Sequence, residues 1–196
     1  MALSFAGNGT ITGLSVGGLP DGTVDEDTLA NNAVGSGKLA SGAGGKIAQV
    51  LQSVKNDTFT STATTPTLIT GLSVTITPSA TSSKILVSVS VTASNDTGTN
   101  NTAFMLQRDS TLLACRGDAS GSKQRGTFQT NVSNASWITT GSYTFLDSPS
   151  STSALVYKCM GQAETGTWFV NRSENDLDNS NHVRASSCIT VMEISA

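Results

Sequence analysis

Between residues 85 and 92 the chain alternates without a break. Ile85, Val87, Val89 and Val91 fall on one parity, and Leu86, Ser88, Ser90 and Thr92 on the other. Side chains two apart share a face of a strand, so this run predicts a half-buried β-strand with one apolar and one mainly polar face. Such a strand is stable only when a second layer covers its apolar face. Residues 46–196 supply the material for that layer. Similar, shorter runs occupy Ile47 to Val54, Leu68 to Thr77, Ala103 to Arg108, Thr111 to Cys115, Thr127 to Val132, Ser136 to Leu146, Ala154 to Gly161, Thr167 to Asn171 and Ser187 to Ile194. Turn-forming clusters separate most of them, among them Thr77-Pro78-Ser79, Asn95-Asp96-Thr97-Gly98, Arg108-Asp109-Ser110, Ser148-Pro149-Ser150 and Glu164-Thr165-Gly166. Short strands in this number, with no helical period between them, predict an all-β domain, a Greek-key or jelly-roll-like β-sandwich. Trp137, Tyr143, Phe145, Tyr157, Trp168 and Phe169 fall on these runs and are expected in the core or in subunit contacts.

Composition points the same way. Charged residues make up 13% of the chain, against roughly a quarter in an ordinary soluble domain. Ser, Thr, Asn and Gly take their place, and these residues disfavour helix interiors. A formal charge of −3 and a pI near 5.0 argue against a phosphate-binding surface, which needs clustered Lys and Arg, so no nucleic-acid partner is expected. No apolar run is long enough to cross a membrane as a helix, and residues 1–13 lack the basic and apolar regions of a secretory leader. Synthesis and folding in a cytoplasm are expected. Cys115, Cys159 and Cys188 are odd in number and widely spaced, which fits buried thiols better than a disulfide framework or a zinc site.

The texture changes near Gly45. Residues 1–45 hold eleven of the nineteen glycines, with Leu3, Phe5, Ile11, Leu14, Val16, Leu19, Val24, Leu29, Val34 and Leu39 spaced too far apart to fill a core. A plain Gly/Ser linker would not carry these apolar side chains. They imply burial against other chains, and so an extended N-terminal arm or short trimeric shaft ahead of a head domain at 46–196. A helix of one or two turns is expected at most over residues 25–34, and residues 35–45 read as a hinge.

Catalytic chemistry has few candidates. His182 is the single histidine and lies in a polar stretch, Asp176-Leu177-Asp178-Asn179-Ser180-Asn181-His182, rather than beside a nucleophile and an orienting acid. Glu164, Glu174, Asp176 and Asp178 fall in expected loops, whereas a glycosidase pair needs two acids held about 5 to 9.5 Å apart around a cleft. Glu174, Asn175, Asp176, Asp178 and Asn179 offer hard oxygens, but their spacing does not match the twelve-residue calcium loop. No catalytic residue, cofactor or metal is expected. Arg116-Gly117-Asp118 spells an adhesion tripeptide that three residues also produce by chance. Recognition is expected instead in the long polar loops Asn95 to Thr102, Gly117 to Gly126 and Ser173 to Val183. The candidate surface residues are Asn95, Asn100, Arg116, Asp118, Arg125, Glu174, Asp176, Asn179 and His182.

Several stretches in order resemble a recurrent module of tailed-phage fibre and virion proteins. They are Lys46-Ile47-Ala48-Gln49-Val50-Leu51-Gln52, Leu68 to Pro78, Ser82-Ser83-Lys84-Ile85-Leu86-Val87, Phe104-Met105-Leu106-Gln107-Arg108-Asp109, Tyr157-Lys158, Asn171-Arg172-Ser173 and Ile189 to Ile194. The aliphatic punctuation Thr28-Leu29-Ala30, Ala33-Val34 and Lys38-Leu39-Ala40 resembles phage fibre shafts, in which three chains wind together. The resemblance implies a non-enzymatic virion protein, a homotrimeric tail fibre or short spike. Residues 1–45 would attach to other virion proteins, and the head would meet a host cell-surface glycan or protein without membrane insertion. A capsid-decorating cement or head-fibre protein is the alternative. A depolymerase-like tailspike enzyme would predict an acid pair on a longer β-helix, and neither is apparent.

Overall fold

Strand-forming parity becomes two packed sheets. A computed structural model of the chain describes residues 4–5, 11–12, 46–96 and 101–195. Its contacts divide the chain into two units, residues 1–44 and 45–196. In the first, β1 (Ser4–Phe5) pairs antiparallel with β2 (Ile11–Thr12). Apart from these two strands the expected shaft, with the short helix over 25–34 and the hinge over 35–45, lies outside the described residues.

The second unit contains β3 (Ile47–Lys55), β4 (Phe59–Ser61), β5 (Thr67–Ile76), β6 (Lys84–Asn95), β7 (Thr102–Arg108), β8 (Thr111–Leu112), β9 (Phe128–Thr130), β10 (Thr139–Asp147), β11 (Leu155–Ala163), β12 (Trp168–Val170) and β13 (Ser187–Ile194). All pairings are antiparallel. One sheet runs β3-β13-β6-β10 and the other β5-β11-β7-β9, which is the order of a jelly roll. Along one edge of β6, β13 pairs with residues 84–90 and β12 takes over at 93–95, with β4 beyond it. β10 covers the opposite edge from Ile85 to Ala93.

The alternation seen in sequence sorts β6 as expected. Ile85, Val87, Val89, Val91 and Ala93 point inward and are buried. They meet Ile189 and Val191 of β13, Leu72, Val74 and Ile76 of β5, Tyr157 and Cys159 of β11, and Phe104 and Leu106 of β7 in one core. Burial pushes the Cys159 thiol up to about 12, so it behaves as a small core hydrophobe. Cys115 and Cys188 are half-buried, and all three cysteines are free thiols. In β5 the alternation slips: Thr70 and Gly71 are both exposed between inward Ile69 and Leu72. A bulge against β11 accounts for this, with Gly71 at φ +90, where glycine carries no side-chain penalty.

The two ends of the sandwich are closed by different chemistry. At one, the Trp168 ring lies over Gly161, 5.3 Å from Phe59 and edge-on to Phe104 at 6.1 Å. At the other, Tyr157 donates to Asp147 at 2.7 Å, and Arg108 pairs with the same carboxylate. At the same level, since Asp147 and Glu193 both stand opposite Ile85, buried Glu193 accepts from Ser79 N at 2.7 Å, Ser79 Oγ at 2.6 Å and Gln49 Nε2 at 2.6 Å. These bonds tie the last strand to the β5–β6 turn and to β3.

Three sequence expectations change in detail. Phe59–Ser61 forms a short strand that its mixed pattern did not signal. The run expected from Ser136 begins only at Thr139, because Asn134 turns the chain: its carbonyl accepts from Trp137 N at 3.0 Å and its Oδ1 from Ser136 N at 2.9 Å. Trp137 is therefore off the strand and exposed, and Tyr143 is exposed on β10, whereas Tyr157, Trp168 and Phe169 are buried.

Two outcomes test this packing. Gly161→Ala would put a methyl 2.6 Å from the Trp168 ring; we expect a loss of about 1–3 kcal/mol by denaturant unfolding. Burial alone would raise the Glu193 pKa, but the hydrogen bonds from Ser79, Gln49 and Ser83 prevail and bring it from 4.5 to about 2. A depressed folded-state pKa means stability that is complete above pH 4.5 and is lost as pH falls toward 2. Glu193→Gln should flatten that acid limb in urea titrations, and an unchanged slope would assign it to another carboxylate.

Candidate functional site

The polar loops converge because the strands they connect end at one level. β6 ends at Asn95 and β7 begins at Thr102, opposite both Thr130 at the end of β9 and Ala163 at the end of β11. β10 starts at Thr139, opposite Ala93. Connections 96–101, 131–138 and 164–167 therefore leave the sandwich at the same end. Cross-links join them to one another and to the two longer loops. Asn131 Nδ2 donates to Asn101 Oδ1 at 2.9 Å, Asn175 N to Ala135 O at 3.0 Å, and Gln124 Nε2 to Ala163 O at 3.0 Å.

Loop 113–127 returns along the outer face of β7. Gly117 N bonds Gly126 O at 3.0 Å, Arg125 Nε donates to Gly117 O at 2.7 Å, and Thr127 N donates to Phe104 O at 2.7 Å. A Cβ at Gly126 would stand 3.1 Å from Phe128 O and 3.2 Å from Ala103 Cβ, so glycine lets the backbone lie close to the sheet. Between this loop and the strand ends is an open cleft of about 860 Å³, walled by Asn101, Asp118, Ser120, Ser122, Lys123, Gln124, Arg125, Gln129 and Glu164. Two cations and two acids face it. The ion pairs of the described residues involve other groups. The cleft therefore offers donors and acceptors in quantity with no net charge among these four.

Loop 171–186 is held at its root by Asn171, fully buried at φ +64. Its Nδ2 donates to Lys55 O at 2.8 Å and Asp57 O at 2.9 Å, and its Oδ1 accepts from Ser187 Oγ at 2.6 Å. Farther out, Asp176 accepts from Arg184 Nε at 2.7 Å and lies 3.6 Å from Arg172 Nε. The Arg184 hydrogen bond is the main reason its carboxyl lies below the ordinary range, assisted by the Arg172 charge. His182 Nδ1 meets Asn179 Oδ1 at 2.9 Å. A shallow depression of about 300 Å³ is lined by Asp176, Leu177, Asp178, Asn179, His182, Val183 and Arg184.

The sequence candidates are thus divided. Asp118 and Arg125 share the large cleft. Arg116 is half-buried two residues before Asp118. Asp176, Asn179 and His182 line the second depression, and Glu174 is half-buried in the same loop. Asn95 is a correction: it is fully buried, and its Oδ1 accepts from Val132 N at 3.0 Å, so it fastens loop 131–138 and is not a surface group. Asn100 lies outside the described residues. Sequence reasoning did not single out Lys123, Gln124 or Gln129, and took Glu164 for a turn acid. The cluster Lys123-Gln124-Arg125 in so weakly charged a chain was the available signal. Among the described residues no group of three or more His, Cys, Asp or Glu is placed to hold a metal ion.

No family model matches this chain, and no curated protein matches it significantly. The loop geometry makes its own prediction. Arg125→Ala removes the bond that closes loop 113–127 on Gly117, and amide exchange across 114–126 should accelerate by about tenfold, the worth of one net hydrogen bond. The global unfolding free energy should stay within about 0.5 kcal/mol of the parent.

Proposed function

We propose that this chain is a non-enzymatic structural subunit of a tailed-phage virion, a tail fibre or short spike. In this reading residues 1–45 attach it to the particle and the jelly-roll head meets the host surface. The observation that carries the proposal is the gathering of polar loops, remote in sequence, at one end of a rigid sandwich. Loops set on a stiff scaffold are a common seat of recognition. The cleft walled by Asp118, Lys123, Arg125 and Glu164 supplies many hydrogen-bonding groups at that end. Asp176, which belongs to the loop richest in acids, is engaged by Arg184 and Arg172, which favours a structural over a catalytic role for it.

Assembly into a homotrimer accords with a second feature. The outer face of the β3-β13-β6-β10 sheet carries a row set by register, Val50, Met192, Leu86 and Leu146. Val50 and Leu146 are 53% and 46% exposed. An apolar row across four strands suits burial against a second copy of the chain. The same row favours the second reading, a capsid-decorating cement or head-fibre protein, because a lattice also supplies flat protein surfaces.

Immunogold electron microscopy of the intact particle, with antibody to residues 46–196, separates the two. Tail-restricted label is the expected outcome, and label over the head would replace attachment with decoration. Purified protein should also adsorb to host cells, and loss of adsorption on charge reversal at Lys123 and Glu164, with Arg125 left to close its loop, would place the contact in the cleft.

A further inference from the structure

We propose that Trp137 is the stacking platform of a subsite for a neutral pyranose, with Asn134 and Asn175 as its flanking hydrogen-bond groups. The proposal deepens the host-surface role above, and rests on it only for where such a sugar would be displayed. The chain has two tryptophans, and they are used in opposite ways. Trp168 is fully buried, its Nε1 donating to Ala63 O at 3.3 Å. Trp137 is 59% exposed, so most of a large apolar ring is left in water.

That ring is presented on a fixed turn. Trp137 N donates to Asn134 O at 3.0 Å, Ser136 N to Asn134 Oδ1 at 2.9 Å, and Asn175 N to Ala135 O at 3.0 Å. The turn is tied both within itself and to loop 171–186, so little backbone entropy remains to be lost on binding. An indole in this setting suits a ligand with an apolar face and a polar edge. A pyranose has both: axial C–H bonds on the ring face and hydroxyls around the rim.

The neighbouring chemistry selects the ligand's charge. From Gly126 through Leu146 there is no Asp, Glu, Lys or Arg. The groups bordering the ring in sequence are Ser133, Asn134 and Ser136, with the exposed Asn175 brought in by the loop contact. Asn134 Oδ1 is already used, which leaves its Nδ2 to donate, and a carboxamide at Asn175 can both donate and accept. Asn175 is flanked by Glu174 and Asp176, but Glu174 is half-buried and Asp176 is engaged by Arg184 and Arg172, so the groups left open beside the ring are amides and hydroxyls, which match the hydroxyls of a neutral sugar. A protein hot spot would instead set the indole within an apolar, water-excluding surround.

The test uses the full chain and a panel of methyl pyranosides of glucose, galactose, mannose and N-acetylglucosamine, followed by NMR of the two indole N–H signals. Binding is expected in the millimolar range. At least one member should shift the Trp137 signal and leave that of Trp168, which is hydrogen-bonded in the core, in place. Trp137→Ala should abolish the response, with an unchanged Trp168 signal reporting an intact fold, and Trp137→Phe should retain part of it. Absence of any Trp137 shift up to about 0.1 M sugar, or an equal affinity measured by calorimetry for Trp137→Ala, overturns the subsite. Host-cell adsorption is scored separately: wild-type protein that fails to adsorb refutes the attachment role, and the pyranoside titration still decides the subsite.

Discussion

The inward face of β6 is the constraint on which the head depends. Ile85, Val87, Val89, Val91 and Ala93 are all buried, and both edges of the strand are occupied, by β10 on one side and by β13 followed by β12 on the other. A strand bonded on both edges can satisfy its backbone only in the middle of a sheet, and its apolar face can leave water only if a second sheet packs over it. The jelly-roll order follows as the arrangement in which β5, β11 and β7 provide that cover. Hydrophobic burial of this kind is non-directional. What makes the packing specific is the set of directional contacts at its margins: the Trp168 ring over Gly161, the Asp147 carboxylate between Tyr157 and Arg108, and Glu193 among Ser79 and Gln49.

A chain with so few charges uses several of them as internal fasteners. Glu193 and Asp147 lie within the fold, and Lys55 runs buried beside Gly71 to reach Asp57. Buried ionic groups survive because each has hydrogen-bonding partners, and removing one partner costs more than the pair contributes. At the loop end Asp118, Lys123, Arg125 and Glu164 contrast with this pattern by facing an open cleft. The division links stability to the proposed recognition role, since the scaffold is fastened by other charges, while Gln124 and Arg125 at the cleft also tie their own loop in place.

Much of the fold was legible because strand parity is a local property. Inward and outward residues of β6 can be read from alternation alone, and the turn clusters mark most of the boundaries; in β13 the buried Glu193 shares the inward parity of Ile189 and Val191, which alternation does not signal. The candidate site was legible only in part. The three polar loops stood out by composition, and Asp118 and Arg125 fall in the cleft. Asn95 looked like any loop asparagine, yet its side chain is buried and bonded to Val132 N. Trp137 looked like a strand aromatic until an asparagine turn displaced it. Polar residue types are ambiguous in this way because the same amide serves a turn, a buried tie or a ligand, and only its neighbours decide among them.

The sequence by itself determined that residues 46–196 form a mainly β domain, and which face of a strand such as β6 is apolar, since side-chain period and turn propensity act over a few residues. It also determined the absence of Asp, Glu, Lys and Arg from 126 to 146, a fact of composition. The tertiary structure decided which strands are neighbours, that Asn101, Gln129 and Glu164 share a cleft with Lys123 and Arg125, and that one tryptophan is core while the other is surface. These outcomes rest on contacts between residues far apart in the chain. Their energies depend on distance and burial in space, quantities that no local pattern encodes.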